Sequence, residues 1–304
     1  MKEGPTLKEK LQLEKCKIFL KKIAPSLKWK LIISISIVIG GIIVFSYINN
    51  KSQDYSTKDS STTDSNSNTT DTNCNVQGIS LHGTVVTYNS PDSYNDQDKL
   101  MYDQTSADNV LWYIKDAQNK DNIKAIVIEV DSSGGSPVAG EEMSQAIKDS
   151  SKPVVAYIRN IGASAAYWAI SSADRIFASR NSDVGSIGVT MSYLSNVGNN
   201  QKNGYTYVQL SSGKFKDTGS PDKILTDAEK ALLLRDVNIM YNNFVSDVAL
   251  NRGLTVKAVK SFADGSTVLG SKAKELGMID EIGGLPEVQK YLETKIGEKP
   301  DICW

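Results

Sequence analysis

The sequence predicts an α/β fold built on a mostly parallel β-sheet with flanking helices. Two runs, "IKAIVIEV" (123–130) and "KPVVAYI" (152–158), are rich in β-branched residues, as is typical of strands buried on both faces. Helical patterns lie beside them in "NVLWYIKDAQ" (109–118) and "AGEEMSQAIKDS" (139–150). This alternation indicates βαβ units joined by right-handed crossovers.

Two helices show an apolar face in the sequence. The first places Val110, Leu111, Ile114 and Ala117 on one side. A longer helix begins at a capping-box pattern, 226–229, and ends near "NRG" (251–253). Its predicted buried stripe consists of Leu233, Val237, Met240, Phe244 and Val248.

The N-terminal part of the chain has the composition of a membrane anchor. Residues 1–30 carry nine lysines and three glutamates, and residues 31–48, "LIISISIVIGGIIVFSYI", carry no charge. A helix of that length spans about 27 Å, close to the hydrocarbon thickness of a bilayer. A cleaved signal peptide is the alternative, but the apolar run is long for one and no A-x-A-like site follows. We expect an uncleaved, single-pass transmembrane helix in the cell membrane, with residues 1–30 cytoplasmic and the remainder extracytoplasmic.

The rest of the chain divides into a linker and a domain. Residues 49–75 are rich in Ser, Thr, Asp and Asn, which predicts a disordered polar linker. This stretch and its border contain two formal glycosylation acceptors, at 50–52 and 68–70. Residues 76–304 are enough for one domain with a substantial core. The formal net charge of −1 indicates no general affinity for nucleic acid.

Cysteine and histidine usage narrows the possible chemistry. Cys16, Cys74 and Cys303 are too few and too scattered for a disulfide framework or a cysteine-based metal site. Cys74 and Cys303 flank the domain and could pair outside the cell, which the sequence leaves open. The single histidine, His82, lies in a strand-like segment, which favours a structural role. A hydrolytic serine would therefore need a base other than histidine, and we expect no metal or other cofactor.

Two glycine-bearing turns follow consecutive predicted strands, in "DSSGGSP" (131–137) and in "RNIGASAAYWA" (159–169) around Ser164. Each alone is more often an ordinary turn. Together, at the carboxyl ends of one parallel sheet, they indicate a site where backbone N–H groups and a hydroxyl converge.

A lysine is the candidate base for this serine. The pKa of a free lysine side chain, about 10.4, must fall close to neutrality for this role, and burial in an apolar cleft can lower it. Lys214 and Lys216 in "SSGKFKDTGSP" (211–221) are the candidates, although loop composition alone also fits two solvated surface lysines.

Five segments in this order resemble the S49 serine peptidases of the SppA type, the signal peptide peptidases. The family's D-S-P-G-G turn is similar to 131–135, and its A-S-G-G-Y-Y nucleophile segment to 163–168. Its T-G-S-I-G-V segment is similar to 184–189, and its G-x-Y-K lysine loop to 213–216, followed by S-P at 220–221. The closing A-D-G-R segment resembles 262–285. The resemblance covers about residues 78–290 and implies a ClpP/crotonase-like fold.

The resemblance implies a role for each matched residue. Ser164 would be the nucleophile and Lys216 the general base, with Lys214 the weaker candidate because it matches the variable position. Ser186 would help to hold the lysine amine, and the N–H groups of Gly135 and Ala165 would form the oxyanion hole. The nucleophile and base are 216 − 164 = 52 residues apart, as in single-repeat members.

The resemblance also implies an assembly and a substrate class. In the family each site takes its serine and lysine from different protomers or repeats, so a single-repeat chain is expected to be a homo-oligomer. Its substrates would be signal peptides or other apolar segments. The alternatives are a stomatin-operon-type membrane peptidase and an inactive assembly protein of the same fold. An acyl-CoA enzyme explains neither the anchor nor the serine–lysine pair.

Three positions depart from the family pattern. Ser133 stands in place of the proline, Ala165-Ala166 in place of two glycines, and Ser266 in place of the arginine. The alanine N–H can still donate, so catalysis stays plausible, while the shape of the pocket is expected to differ.

Overall fold

A nine-stranded, mostly parallel β-sheet forms the centre of the structure, a computed structural model that describes residues 74–93 and 103–304. Its main path runs through six strands, and three short strands pair outside that path. The strands are β1 (Val76–Val86), β2 (Gln104–Ser106), β3 (Ala125–Gly135), β4 (Val154–Ala163), β5 (Arg175–Ala178), β6 (Asp183–Gly185), β7 (Thr267–Leu269), β8 (Glu281–Ile282) and β9 (Ile302–Cys303).

The strand order is β2-β1-β3-β4-β5-β8, with β9 also paired to β1 and β6 also paired to β4. Within the described residues, every pair is parallel except β6 with β7. The predicted α/β fold with a largely parallel sheet is therefore confirmed. The parallel arrangement brings the carboxyl ends of β3 and β4 to the same edge of the sheet, where sites assemble.

The helices lie between the strands, and their starts follow capping rules. Ser136 caps the second helix, which opens with Pro137, and the predicted capping box of the long helix is present at Thr226 and Glu229. The helices of the described residues are α1 (Ala107–Gln118), α2 (Pro137–Lys148), α3 (Ala165–Ile170), α4 (Val197–Lys202), α5 (Asp227–Asn251), α6 (Val256–Lys260), α7 (Gly270–Glu275) and α8 (Leu285–Ile296), with a 3₁₀ turn at Pro91–Ser93.

The core has two layers, one on each face of the sheet. Alternate residues of β3 point to opposite faces, with Ile126 and Ile128 in the larger layer and Val127 in the smaller one. The larger layer includes residues of α1, α2, α3 and α5, and the smaller layer is covered by α8 through Val288 and Leu292. As predicted, β3 and β4 are buried on both faces.

One prediction about α5 was wrong in part. Phe244 and Val248 are buried as expected, but Leu233, Val237 and Met240 are only partly covered. A helix of 25 residues is about 37 Å long. Only its C-terminal part packs into the core, where Phe244 stacks on Trp168 of α3, and the preceding residues Val237 and Asn238 form a wall beside the site.

The two cysteines that flank the domain are joined by a disulfide. Cys74 and Cys303 have Cα atoms 5.9 Å apart, and their chain segments are parallel neighbours in the sheet through Val76 and Ile302. The pairing that the sequence left open is thus present. It fastens the first and last strands of the domain to each other.

The predicted anchor, 31–48, and the predicted linker as far as residue 73 lie outside the described residues. The last two residues of that linker, Cys74 and Asn75, belong to the folded domain instead, because Cys74 forms the disulfide and Asn75 donates to Glu298 over 2.9 Å. Across residues 74–93 and 103–304, no helix is both long and apolar enough to cross a membrane.

Candidate active site

Ser164 occupies a strained turn between β4 and α3. Its backbone has φ 52° and ψ −127°, a region that non-glycine residues rarely adopt. Its N–H donates to the carbonyl of Gly185 over 2.7 Å, and its carbonyl accepts from the N–H of Trp168 over 2.9 Å. The side chain makes no capping hydrogen bond to α3. A sharp, strained strand-to-helix turn presents the nucleophilic hydroxyl in α/β-hydrolases.

The glycine turn after β3 packs directly against the serine turn. Gly134 has φ 101°, and a Cβ added there would lie 2.7 Å from the Cβ of Ser164 and 2.8 Å from the nitrogen of Ala165. Gly135 is similarly close to β1, because an added Cβ would lie 2.1 Å from the carbonyl oxygen of Val85. Only glycine allows both backbones to approach this closely.

A buried hydroxyl that the sequence reasoning did not single out holds this glycine turn. Ser132 Oγ donates to the carbonyl of Gly83 over 2.5 Å and accepts from the N–H of Gly134 over 3.1 Å. The neighbouring Ser133, which replaces the family proline, is exposed. The available signal was the position of Ser132 between a strand and two glycines, where a short hydroxyl side chain commonly bonds to nearby backbone.

Ser164 opens into a cavity of about 590 Å³. Two of the predicted site residues, Gly135 and Ser186, line it together with Ser164. The remaining lining residues are Pro137, Gly188, Val189, Thr190, Val237, Asn238, Tyr241, Ala263, Asp264 and Gly265. The structure therefore brings three of the five predicted site residues into one cavity. The volume of this cavity lies in the range of ligand-binding pockets.

Ser186 is the second non-glycine residue with positive φ, at 49°. Its Oγ donates to the carbonyl of Gly265 over 2.9 Å, and its N–H donates to the carbonyl of Ser266 over 3.0 Å. The turn after β6 and the turn before β7 therefore form one wall. Since Gly185 accepts from the N–H of Ser164, this wall is tied directly to the serine.

The same wall carries a carboxylate, Asp264. Ser266 donates to its Oδ1 twice, from the side-chain hydroxyl over 2.6 Å and from the N–H over 2.9 Å. These hydrogen bonds hold the pKa of Asp264 below its ordinary value. Asp264 is the only charged residue among those that line the cavity within the described chain.

The opposite wall of the cavity comes from the middle of α5. Val237, Asn238 and Tyr241 line the cavity, and the Tyr241 hydroxyl donates to the carbonyl of Ala263 over 2.9 Å. Val237 was predicted to lie in the buried stripe of the helix, and Asn238 and Tyr241 were not predicted to belong to the site. Their spacing on one helical face is typical of packing, so sequence alone could not separate a wall of a cavity from a core contact.

Ala165, the other predicted oxyanion donor, is buried at the start of α3 and does not line the cavity with its side chain. Its N–H is among the first helical donors, which have no partner inside the helix. The two alanines that replace glycines fit because α2 supplies space. A Cβ added at Gly140 would lie 2.8 Å from the carbonyl oxygen of Ala165.

The aromatic pair after the serine anchors α3 in the core. The Tyr167 hydroxyl donates to the carbonyl of Met278 over 2.9 Å. Trp168 stacks on Phe244 with ring centroids 4.6 Å apart, and its Nε1 donates to Asp247 over 2.9 Å. The segment that follows Ser164 is thus fixed to both α5 and the turn before β8.

The predicted base lies on a different part of the surface. Lys216 is exposed in the segment 211–221, and neither it nor Lys214 lines the cavity of Ser164 within the described chain. The segment is held by Asp217, which accepts from Tyr207 over 2.7 Å and pairs with Lys223 at 3.0 Å. Lys223 in turn pairs with Glu229 at 2.6 Å, at the start of α5.

His82 stays outside the cavity, in line with its predicted structural role. Its Nε2 lies 3.0 Å from Glu129 Oε1, and Glu129 also accepts from Tyr157 and from Arg159. Burial raises the pKa of the Tyr157 hydroxyl, and the hydrogen bond to Glu129 adds to this. Among the described residues, no group of three or more histidines, cysteines or carboxylates could hold a metal ion.

Known proteins are similar to this chain in sequence. A putative protease from Methanocaldococcus jannaschii is 35% identical over 205 residues, 66% of this chain and 65% of the relative. A putative signal peptide peptidase SppA from Enterococcus faecium is 34% identical over 185 residues, 60% of this chain and 54% of the relative. The chain thus spans less than two thirds of the length of each.

A ClpP1 mutant from Listeria monocytogenes is similar in structure, with a TM-score of 0.45 and 15% identity, over 69% of this chain and 92% of that chain. The model of the family described as peptidase family S49 matches residues 146–298, which is half of the chain and includes Ser164, Ser186 and Lys216. The chain therefore belongs to peptidase family S49.

Proposed function

We propose that this chain is a membrane-anchored serine endopeptidase that uses a Ser-Lys dyad to degrade signal peptide remnants or similar apolar peptides. The observation that carries the proposal is the strained turn of Ser164, which opens its hydroxyl into a cavity beside a glycine turn. A core serine with an ordinary structural role needs neither the positive φ nor the close approach of Gly134.

The chemistry proceeds by acyl transfer. Ser164 Oγ attacks the scissile carbonyl carbon, and its proton passes to the uncharged amine of Lys216. The N–H groups of Gly135 and Ala165 stabilise the negative charge on the carbonyl oxygen. The lysine then gives the proton to the departing amine, and water hydrolyses the acyl-serine by the same steps. Ser186, at the cavity wall, helps to hold the lysine amine.

The base comes from a second copy of the chain in this proposal. The cavity contains no lysine among its described lining residues, and Lys216 projects on an exposed segment. The segment 188–226 also exposes many apolar side chains, which favours burial against a partner. They include Met191, Leu194, Tyr205, Val208, Leu210 and Ile224.

The proposed substrate class is supported by the apolar lining of the cavity, and the proposed location by the disulfide and the predicted anchor. Val189, Val237 and Ala263 give the cavity an apolar lining suited to apolar segments. The Cys74–Cys303 disulfide favours an oxidising compartment. Together with the predicted anchor at 31–48, this supports a domain on the outer face of the cell membrane.

The test uses the full chain in detergent micelles and a fluorogenic apolar peptide. We expect Ser164→Ala and Lys216→Ala each to lower kcat/KM at least about 1000-fold, because each removes one member of the dyad. Lys214→Ala is the matched control and should keep most of the activity. Wild-type levels of cleavage in either dyad variant, or intact oligomers that cleave no apolar peptide, would contradict the proposal. A strong preference for one membrane protein over apolar peptides would favour the stomatin-operon-type alternative.

A further inference from the structure

The cavity beside Ser164 carries one unbalanced negative charge. Asp264 is its only charged lining residue within the described chain, and no lysine, arginine or histidine of that part of the chain forms an ion pair with it. Ser266, which stands where the family pattern has an arginine, contributes hydroxyl and N–H groups and no positive charge.

The carboxylate is held in place while one oxygen stays available. Both hydrogen bonds from Ser266 go to Oδ1, and Oδ2 accepts none within the described residues. The carbonyl of Ser266 accepts from the N–H of Ser186, and the N–H of Gly265 donates to the carbonyl of Ile187 over 3.1 Å. The turn that bears Asp264 is therefore fixed to the wall that also contacts the Ser164 turn.

The electrostatic consequence depends on what enters the cavity. An apolar peptide alone leaves the carboxylate without a counter-charge after the substrate has displaced water, which costs free energy. A substrate with an ammonium or guanidinium group at that position supplies the missing counter-charge. Because opposite charges attract more strongly where water is excluded, this favours the cationic substrate.

We propose that Asp264 is a specificity residue that selects peptides with a positively charged side chain next to an apolar segment at the cleavage point. The inference rests on the proposed peptidase function and adds a substrate class to it. Signal peptides have this composition where their basic n-region meets the apolar h-region. Val189 and Val237 would contact the apolar part, and Asp264 would pair with the lysine or arginine.

The test uses pairs of apolar peptides in which one member carries a lysine and the other a norleucine at the same position. One pair is made for each position near the scissile bond. Norleucine has the same aliphatic stem without the amine. At one position we expect the full-length enzyme to prefer the lysine peptide in kcat/KM. The preference should fall about threefold in Asp264→Asn, because Asp264 is exposed in the free chain and an exposed charge pair contributes little. The asparagine Oδ1 can still accept both hydrogen bonds from Ser266, so the turn is retained.

Two control variants separate charge from structure. Asp264→Glu should keep the preference for lysine. Asp121→Asn should also keep it, because Asp121 precedes β3 and so lies at the opposite edge of the sheet from the site. An unchanged lysine-to-norleucine ratio in Asp264→Asn would overturn the inference. So would a shifted pH profile with an unchanged ratio, which would connect Asp264 with the base instead.

A binding measurement keeps this test independent of turnover. Fluorescence anisotropy of the same labelled peptides on the full-length Ser164→Ala protein reports the ratio of the two Kd values. Tighter binding of the lysine peptide that is lost on adding Asp264→Asn supports the inference even if the wild type cleaves neither peptide. Cleavage without any preference for lysine in either assay rejects the inference and leaves the proposed function intact.

Discussion

The two halves of the proposed dyad are held in opposite ways. Ser164 lies on a turn whose neighbours, Ala163 and Ala165, are at most 2% exposed, and its backbone bonds to β6. Lys216 is exposed, and its segment is held by a backbone hydrogen bond from its own N–H to the carbonyl of Gly213 over 3.1 Å and by the polar contacts of Asp217. The nucleophile is thus fixed by close packing in its own chain, whereas the base is not.

The difference indicates which contacts can fix the position of each side chain. Close-packed interiors tolerate little displacement, so the serine and the glycine turn are preorganised in one chain. A lysine on a projecting segment acquires a fixed position and an apolar surrounding only when another surface covers it. One chain therefore accounts for the geometry around Ser164 and the glycine turn, whereas the environment proposed for Lys216 requires the proposed second copy.

Apart from the two dyad variants, the largest effect is expected from Gly134→Ala. The new Cβ would collide with the Cβ of Ser164 at a positive φ that alanine rarely adopts, so both turns must move. We expect kcat/KM to fall about 100- to 1000-fold, as when an oxyanion donor is lost. Peptide cleavage by the folded full chain measures this, with circular dichroism to confirm folding.

Gly198→Ala is the matched control for that substitution. Gly198 lies in α4, and nothing lies within 4 Å of an added Cβ. Alanine is also the better helix former. Activity and stability should therefore stay close to wild type. Equal activities of the two variants would show that the close contact at Gly134 has no role in catalysis.

The second prediction tests whether the base comes from another chain. Ser164→Ala and Lys216→Ala proteins are each inactive alone, but subunits that exchange can form sites with an intact serine from one chain and an intact lysine from the other. For random mixing in equal amounts we expect about a quarter of the wild-type activity, because each intact residue is present in half of the chains.

This experiment has a clear negative outcome. If both residues of a site come from one chain, the mixture stays as inactive as its components. Mixing either variant with a copy of itself is the control for dilution and refolding. A mixture that stays inactive while native mass spectrometry shows mixed oligomers would contradict a shared site.

The sequence could predict the sheet and the nucleophile for related physical reasons. Buried parallel strands require continuous β-branched runs, as in β3 and β4, and close backbone approach requires glycine, as at Gly134 and Gly135. These constraints act locally, so they leave a local pattern in the sequence. The capping box at Thr226 was identified for the same reason.

The rest of the site depends on relations between distant segments. Asp264 and Tyr241 line the cavity only because β7 and α5 fold against the Ser164 turn. An exposed aspartate and a helical tyrosine carry no such signal in the sequence. The apolar stripe of α5 was overestimated because the pattern does not show how much of a long helix the rest of the domain covers.

A smaller effect is expected from Ser132→Ala. The substitution removes the hydrogen bonds to Gly83 and Gly134 and leaves the half-buried carbonyl of Gly83 without this donor. We expect a loss of about 1 to 3 kcal/mol in the free energy of unfolding. Because the glycine turn loosens, kcat/KM should also fall, by about tenfold. Urea unfolding and peptide cleavage measure the two effects.

Ser133→Ala is the control beside it. The Ser133 side chain is exposed and makes no hydrogen bond within the described residues. Its loss should change the free energy of unfolding by no more than about 0.5 kcal/mol and should leave kcat/KM close to the wild-type value. If Ser132→Ala also matched the wild type in both assays, the glycine turn would not depend on this hydroxyl.

The smallest effect concerns the polar contacts that hold the lysine segment. The hydrogen bonds from Lys223 and Thr226 lower the pKa of Glu229 to about 2. Since this is below the ordinary value of 4.5, the stabilisation is complete above about pH 4.5 and is lost as the pH falls towards 2. Lys223 has a raised pKa, because it pairs with Glu229 and Asp217, so its contribution is lost only at high pH.

Hydrogen exchange over 211–229, corrected for its intrinsic pH dependence, should show a roughly threefold loss of protection between pH 5 and 3. In Glu229→Gln this acid-dependent loss should disappear, whereas the β3 and β4 amides should keep their protection in both proteins. An identical acid response in the wild type and the variant would mean that these contacts do not hold the segment that carries Lys216.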